Sequence, residues 1–176
     1  MKQPCDIPAI ELFSQIGLTV GVFDYLHPGH IMMLSECRKQ CEYLIVGVND
    51  GTNLEKHKNQ PVQSLKERVM MIKALCDVDE VFTYSGEKEL HNLLETMEYH
   101  VRFIGSDHED KPITGDDIPG HLEKVIFTTR NHGFSSTTMK YRAYHYYTLT
   151  ANTPNRNTPD GYSYDDVISG NLFPKN

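Results

Sequence analysis

The sequence predicts an α/β protein that consists of a doubly wound, parallel five-stranded sheet with a C-terminal extension. The alternation of apolar patterns and the chain length lead to this prediction. Short apolar runs alternate along the chain with segments whose apolar residues recur every three or four positions, and this alternation is typical of βαβ units. Crossovers between parallel strands are right-handed, so the helices come to lie on both faces of one sheet. A chain of 176 residues is long enough to bury such a core.

The predicted strands are short and mostly apolar. EYLIVGVND (42–50) is the most apolar of them, as expected for a central strand that is covered on both faces. The others are LTVGV (18–22), EVFTY (80–84), VRFIG (101–105) and KVIFTT (124–129).

Four helices are predicted between and after these strands. The first starts near His30 and places on one face Ile31, Leu34, Cys37 and Cys41. The second starts at a capping box formed by Ser64 and Glu67. Its apolar stripe consists of Leu65, Val69, Ile72 and Leu75. The third is KELHNLLETM (88–97), and the fourth, with its own N-cap, is SSTTMKYRAYHYY (135–147).

We expect one domain over residues 18–148, an N-terminal extension (1–17) and a C-terminal tail (149–176). The tail opens with TANTPNRNTPDG (150–161), whose Asn, Thr and Pro content is typical of a linker. No export signal or long apolar run is visible, which predicts a cytoplasmic protein with reduced cysteines. Cys37 and Cys41 are then core residues, since two ligands do not complete a metal site. The net charge of −7 argues against nucleic-acid and membrane partners.

The segment LTVGVFDYLHPGH (18–30) places His27 and His30 where the first strand gives way to the first helix. The N-terminus of a helix favours anions, because its N–H groups are unpaired and its dipole end is positive. Gly29 would let a phosphate approach the backbone closely. Imidazole donors at this position predict phosphate chemistry. A two-histidine metal site and a polar turn without function are the alternatives.

GVFDYLHPGH (21–30) resembles the HxGH signature of the cytidylyltransferase family of nucleotidyltransferases. Three further segments occur in the order of that family: the lysine loop NLEKHK (53–58), the aspartate segment GSDHEDK (105–111), and RNHGFSST (130–137) in place of the second signature. The resemblance covers about residues 18–143 and implies a Rossmann-like nucleotidyltransferase fold.

Within the family, the match looks closest to glycerol-3-phosphate cytidylyltransferases. The resemblance therefore implies transfer of CMP from CTP to a small phosphorylated alcohol, with release of pyrophosphate. It also implies Mg²⁺ bound with CTP, an in-line displacement without a covalent enzyme intermediate, and a homodimer. No metal-ligating residue of the protein is implied.

The resemblance also assigns roles to individual residues. The implied catalytic residues are His27, His30, Lys56 and Arg130. The nucleotide-binding set is Val22, Phe23, His27, Gly29, His30, Lys58, Asp107, Arg130, Gly133, Phe134, Ser135, Ser136 and Thr137. The set that binds the acceptor substrate is Asp24, Lys56, Lys88 and His108. Lysines and a bidentate arginine suit this chemistry because two polyanions must be brought together. Taken alone, the three lysines are more often solvated charges than ligands, and Asp24 and Asp107 could order their loops.

The chain departs from the family pattern at Val22, Asn131, Phe134, Ser136 and His108. An imidazole at position 108 cannot enclose a quaternary ammonium as tryptophan does, so we expect glycerol 3-phosphate to be preferred over phosphocholine. One alternative is an adenylyltransferase of the same superfamily that acts on a sugar phosphate or FMN. A non-catalytic nucleotide-binding domain is the other, although a pure binder would not need both histidines.

Overall fold

The computed structural model describes residues 15–52 and 60–150, without the side chains of residues 149 and 150. The chain divides into two units after Lys140. The first contains the whole sheet that is described below. The described part of the second is the continuation of the last helix to Thr150.

Five parallel strands form one sheet, and this confirms the predicted fold class. The strands are β1 (Ile16–Gly21), β2 (Tyr43–Asn49), β3 (Glu80–Tyr84), β4 (Val101–Gly105) and β5 (Val125–Thr128). Their order is β3-β2-β1-β4-β5. β1 pairs with β2 on one side and with β4 on the other, so the winding direction reverses between β1 and β4. Open parallel sheets bind their ligands at such a reversal, beyond the carboxyl ends of the strands.

In the described ranges, four α-helices connect or follow the strands. They are α1 (Pro28–Arg38), α2 (Leu65–Lys73), α3 (Gly86–Thr96) and α4 (Ser136–Thr150). Two short 3₁₀ turns, Ser106–His108 and Leu122–Lys124, lie in the connection between β4 and β5. The predicted capping box is present at the start of α2, where Ser64 and Glu67 bond reciprocally.

Each face of the sheet has its own apolar core, as a doubly wound sheet requires. β2 contributes to both cores because successive side chains point to opposite faces. One core packs under α1 and α2 and includes Leu34, Cys37, Leu44, Val46 and Ile72. The other packs under α3 and includes Ile16, Ile45, Tyr84, Leu90 and Leu94.

The predicted elements differ from the observed ones mainly at their ends. β1 begins at Ile16, two residues before the predicted strand, and ends at Gly21. α1 begins at Pro28 rather than near His30, because proline at the first helical position is already preorganised for the helix. Ile31 does not belong to the buried face of α1, since it is 43% exposed. Cys37 and Cys41 are buried free thiols, as expected.

Among the described residues, no helix has the length and apolar character needed to cross a bilayer. The predicted linker beyond Thr150 and the rest of the tail lie outside the described residues.

Candidate active site

The candidate site lies beyond the carboxyl ends of β1, β4 and β5. His27 is the N-cap of α1, and its carbonyl oxygen accepts hydrogen bonds from the N–H groups of His30 (2.9 Å) and Ile31 (3.3 Å). The rings of His27 and His30 are stacked, with centroids 3.8 Å apart and an interplanar angle of 19°. The two histidines therefore form a single pair at the helix N-terminus.

The turn that delivers this pair has an unusual backbone. Phe23 (φ 53°) and Tyr25 (φ 50°) both adopt the left-handed conformation, although neither is glycine. Such residues cost of order 1 kcal/mol or more each and need support from their surroundings. Phe23 is supported by the core below α1, and its ring lies 5.3 Å from that of His30. The main-chain N–H of Tyr25 donates to the side chain of Gln63 (2.7 Å).

Asp24 orders this turn, which is the alternative to its predicted contact with substrate. The carboxylate is buried and accepts from the N–H groups of Val62 and Gln63, both at 3.0 Å. It also forms an ion pair with Lys140 at 2.7 Å. These bonds hold the pKa of Asp24 below its usual value, although burial acts in the opposite direction. These hydrogen bonds and the ion pair hold a loop and a helix in place, and the predicted contact of Asp24 with substrate stays a prediction.

Arg68 joins the ends of two strands from below the site. Its guanidinium is almost completely buried. It donates to the carbonyl groups of Val22 (2.6 Å), Asn49 (2.6 Å) and Asp50 (3.0 Å), and its Nε donates to that of Gln63 (3.2 Å). A single side chain thus ties the residue that follows β1 to the end of β2.

The signature segment, residues 130–137, approaches from the end of β5. Glu36 of α1 anchors its start by accepting from the N–H and the hydroxyl of Thr129. Arg130 donates to Asp107 at 2.6 Å, and His108 lies 3.9 Å from the same carboxylate. Arg130 and Asp107 are about two-fifths exposed, so their ion pair is weak and a polyanion could replace it at small cost.

His132 of the signature segment lies against Gly29. A Cβ atom at Gly29 would come within 2.5 Å of the His132 Cε1 atom and 3.0 Å of the His27 Nδ1 atom. The absence of a side chain at Gly29 therefore makes room for an imidazole ring. The reason predicted from the sequence for this glycine is a different one, the close approach of a phosphate to the backbone. We call His27, His30 and His132 the histidine cluster.

The remainder of the signature segment builds the start of α4. The hydroxyl of Ser135 accepts from the N–H of Thr138 at 3.0 Å, which confirms the predicted cap. Ser136 donates to the carbonyl oxygen of Asp24 at 2.6 Å and thereby links α4 to the turn after β1. Thr137 lies exposed in the first turn, and the Phe134 ring lies 5.7 Å from that of His132. Nothing lies within 4 Å of a Cβ built on Gly133.

Burial favours the neutral forms of two members of the histidine cluster, His27 and His30, because it lowers their pKa values. Burial lowers the pKa of His30 from 6.5 to about 4, and the positive charges of His27, Arg130 and His132 add to the effect. Burial, His132 and Arg130 also lower the pKa of His27. Each neutral ring has one N–H donor and one lone pair. Within the described chain, the Nδ1 atoms of all three rings are buried and have no hydrogen-bond partner.

Of the three lysines predicted for the site, the structure describes Lys88. Lys56 and Lys58 lie outside the described residues. Lys88 lines a cavity of about 680 Å³ between α3 and the connection that follows β4, and no residue of the histidine cluster lines that cavity. The role of Lys88 in acceptor binding stays a prediction.

In the described ranges, no group of three or more His, Cys, Asp or Glu side chains is arranged to hold a metal ion. The carboxylates of Asp24 and Asp107 are already paired with Lys140 and Arg130. Mg²⁺ is commonly held by substrate phosphates and water rather than by a protein cage. The expectation that it enters with the nucleotide is thus compatible with these residues, and it stays a prediction.

Sequence reasoning missed several residues that shape this site. Arg68 carried a signal, because it occupies a position on the apolar face of α2 beside Leu65 and Ile72 where a charge is unexpected. His132 carried another, as an imidazole within the signature segment. Glu36, Gln63 and Lys140 carried none, since their partners are distant in sequence.

The cytidylyltransferase-like family model matches residues 18–143. Two similar curated proteins are the bifunctional protein HldE of Caulobacter vibrioides, 32% identical over 128 residues, and that of Nitrosococcus oceani, 36% identical over 125 residues. These alignments cover 71% and 69% of this chain but only 26% of each HldE protein. The chain thus matches about a quarter of the length of these relatives.

One solved structure of similar fold is the lipopolysaccharide core biosynthesis protein from Thermoplasma volcanium. It superposes with a TM-score of 0.53 at 21% identity, over 69% of this chain and 98% of that one. At this identity the likeness concerns the fold alone.

Proposed function

The chain belongs to the cytidylyltransferase-like family of nucleotidyltransferases, and from this premise we propose that it transfers a nucleotidyl group to a small phosphorylated acceptor. An acceptor phosphate oxygen attacks the α-phosphorus of a nucleoside triphosphate, and the bond to the β-phosphate breaks to release pyrophosphate. The observation that carries the proposal is the histidine cluster with its three unpartnered ring nitrogens at the N-terminus of α1.

The described residues suit this reaction through charge and position. Neutral His27 and His30 can donate hydrogen bonds to phosphoryl oxygens on which charge develops, and such preorganised donors supply much of an enzyme's rate enhancement. The positive end of the α1 dipole also favours an anion at this position. Arg130 can exchange its weak pair with Asp107 for a bidentate contact with phosphate. No protein nucleophile is needed, because phosphoryl transfer depends mainly on positioning and charge neutralisation.

We propose an adenylyl donor and a sugar phosphate acceptor ahead of CTP and glycerol 3-phosphate. The relatives with 30% identity or more that are described above are HldE proteins, and they do not support the finer resemblance to glycerol-3-phosphate cytidylyltransferases. The departures at Val22, Asn131, Phe134, Ser136 and His108 agree with this choice, since they are differences from those cytidylyltransferases. Mg²⁺ bound with the nucleotide and a homodimer are also part of the proposal.

The test is a pyrophosphate-release assay with ATP, CTP, GTP and UTP, each combined with sugar phosphates, glycerol 3-phosphate, phosphocholine and FMN. We expect ATP with a sugar phosphate to give the highest kcat/KM. Preference for CTP with glycerol 3-phosphate would restore the first prediction from the sequence. Binding without turnover for every pair would support a non-catalytic domain instead.

A further inference from the structure

A third histidine, His132, lies at the candidate site beside Gly29. His132 lies in the signature segment more than 100 positions after His27, yet both approach the same glycine. A Cβ on Gly29 would be 3.0 Å from the Nε2 atom of His132 and 3.0 Å from the Nδ1 atom of His27. The ring of Phe134 is also near His132, with ring centroids 5.7 Å apart. His132 is therefore a positioned side chain of the site rather than a loop residue in solvent.

The chemistry around His132 points to an anion as its partner. Its Nδ1 is buried without a hydrogen-bond partner among the described residues, as are those of His27 and His30. His27 is only 6% exposed, so water has little access to it. A buried unpaired polar atom is costly, and a bound ligand would remove that cost.

Two positive groups face the cluster, and one of them, the Arg130 guanidinium, is paired with the exposed carboxylate of Asp107. The other is the N-terminal end of α1. The nearby carboxylate of Asp24 is engaged by Lys140 and by two main-chain N–H groups. The oxygens of a compact polyanion could accept hydrogen bonds from the unpaired ring nitrogens, and their negative charge suits the positive groups nearby.

On these grounds we propose that His132 is a phosphate-binding residue, which contacts the polyphosphate of the nucleotide together with His27 and His30. The inference rests on the proposed function, because it assigns a further contact within the same site. The absence of a side chain at Gly29 then has two connected effects. It leaves room for the His132 ring, and it lets that ring reach the phosphate.

Three substitutions separate a hydrogen bond from packing. His132→Phe keeps an aromatic ring against Gly29 but has no N–H group. His132→Asn places an amide near the position of Nδ1, and His132→Gln places one near Nε2. His145→Phe, which alters an exposed histidine of α4, is the matched control for the loss of an imidazole.

The first measurement is calorimetric titration of the full chain with inorganic tripolyphosphate. We expect His132→Phe to weaken binding roughly 10- to 100-fold, as is usual for one hydrogen bond to a charged group. We expect His132→Asn to recover most of the affinity and His145→Phe to match the wild type. With nucleoside triphosphate, His132→Phe should raise KM more than it lowers kcat.

The outcomes separate this inference from the proposed function. If no nucleotide is turned over but tripolyphosphate affinity follows the expected pattern, the proposed function fails and the phosphate contact stands. If His132→Phe binds tripolyphosphate and turns over nucleotide like the wild type, the inference is wrong even when transfer is real. Equal losses in all three variants, with a matching fall in melting temperature, would reduce His132 to a packing residue and would also overturn the inference.

Discussion

His27 and His30 are the residues on which the proposed chemistry depends most directly. We predict that His27→Ala and His30→Ala each lower kcat by roughly 100- to 1000-fold, the usual effect of removing one preorganised donor. His27 caps α1 without a side-chain hydrogen bond, so alanine there should leave the helix intact. Steady-state kinetics, together with calorimetric titration of the nucleotide, checks both halves of the prediction, since affinity should change far less than turnover.

The control for these variants is His145→Ala, in which an exposed histidine outside the histidine cluster is removed. Near-normal turnover in either His27→Ala or His30→Ala would contradict the catalytic assignment. A loss of affinity as large as the loss of turnover would instead make these histidines binding residues.

At the scale of elements, the start of α1 is coupled to the signature segment through Gly29. We predict that Gly29→Ala costs about 1–3 kcal/mol of stability, because its Cβ would lie 2.5 Å from the His132 ring. In a His132→Ala background the same change should cost much less, which gives a coupling energy of roughly 1–2 kcal/mol. Urea unfolding of the four proteins in this double-mutant cycle measures it.

Gly133→Ala is the matched control for that cycle, since nothing lies within 4 Å of a Cβ built there. Additive costs for Gly29→Ala and His132→Ala would show that the two residues are not in contact in solution.

The connection between α2 and the sheet depends on Arg68. We predict that Arg68→Met lowers the free energy of unfolding by roughly 2–4 kcal/mol, because four carbonyl groups lose their donor while the apolar stem is retained. It should also lower kcat/KM, since Val22 directly follows β1, one of the strands that carry the site. Urea unfolding and steady-state assays check the two effects. Lys66→Met, which changes an exposed residue of the same helix, is the control. If the two variants had the same free energy of unfolding and the same kcat/KM, Arg68 would not stabilise the ends of β1 and β2.

At the scale of the whole molecule, buried neutral histidines make folding sensitive to acid. The pKa values of His27, His30 and His121 are all lowered in the folded chain, chiefly by burial, and that of His30 falls to about 4. His121 also accepts from Arg102 at 2.8 Å, which requires an unprotonated Nε2. The unfolded chain therefore binds more protons than the folded one below the usual histidine pKa of 6.5.

We predict that the free energy of unfolding falls as the pH decreases from about 6.5 to about 5, before most carboxylates titrate. Each such histidine contributes up to roughly 1.4 kcal/mol per pH unit in this window. His30→Asn should reduce the slope by about one such contribution, whereas His145→Asn should leave it unchanged. Chemical unfolding at several pH values gives the slope. A flat profile in the wild type would mean that these histidines are charged in the folded chain.

The sequence alone determined the order and type of the elements. Period-two and period-3.6 patterns are local, so β3 and β4 were predicted with their observed ends, and the capping box of α2 could be read from Ser64 and Glu67. The HxGH and signature segments likewise predicted which strand ends carry His27, His30 and Arg130, because parallel strands bring their carboxyl ends to one edge.

Only the tertiary structure decided which side chains meet at that edge. The contact of His132 with Gly29, the bonds from Arg68 to the carbonyls of Val22 and Asn49, and the ion pair of Asp24 with Lys140 all join segments distant in sequence. No local pattern contains such pairs, because they depend on the register of β1 with its neighbours and on where the signature segment returns across the sheet. For the same reason the sequence did not show that Asp24 contacts a lysine or that Gly29 lies against an imidazole, and their roles towards substrate and phosphate stay predictions.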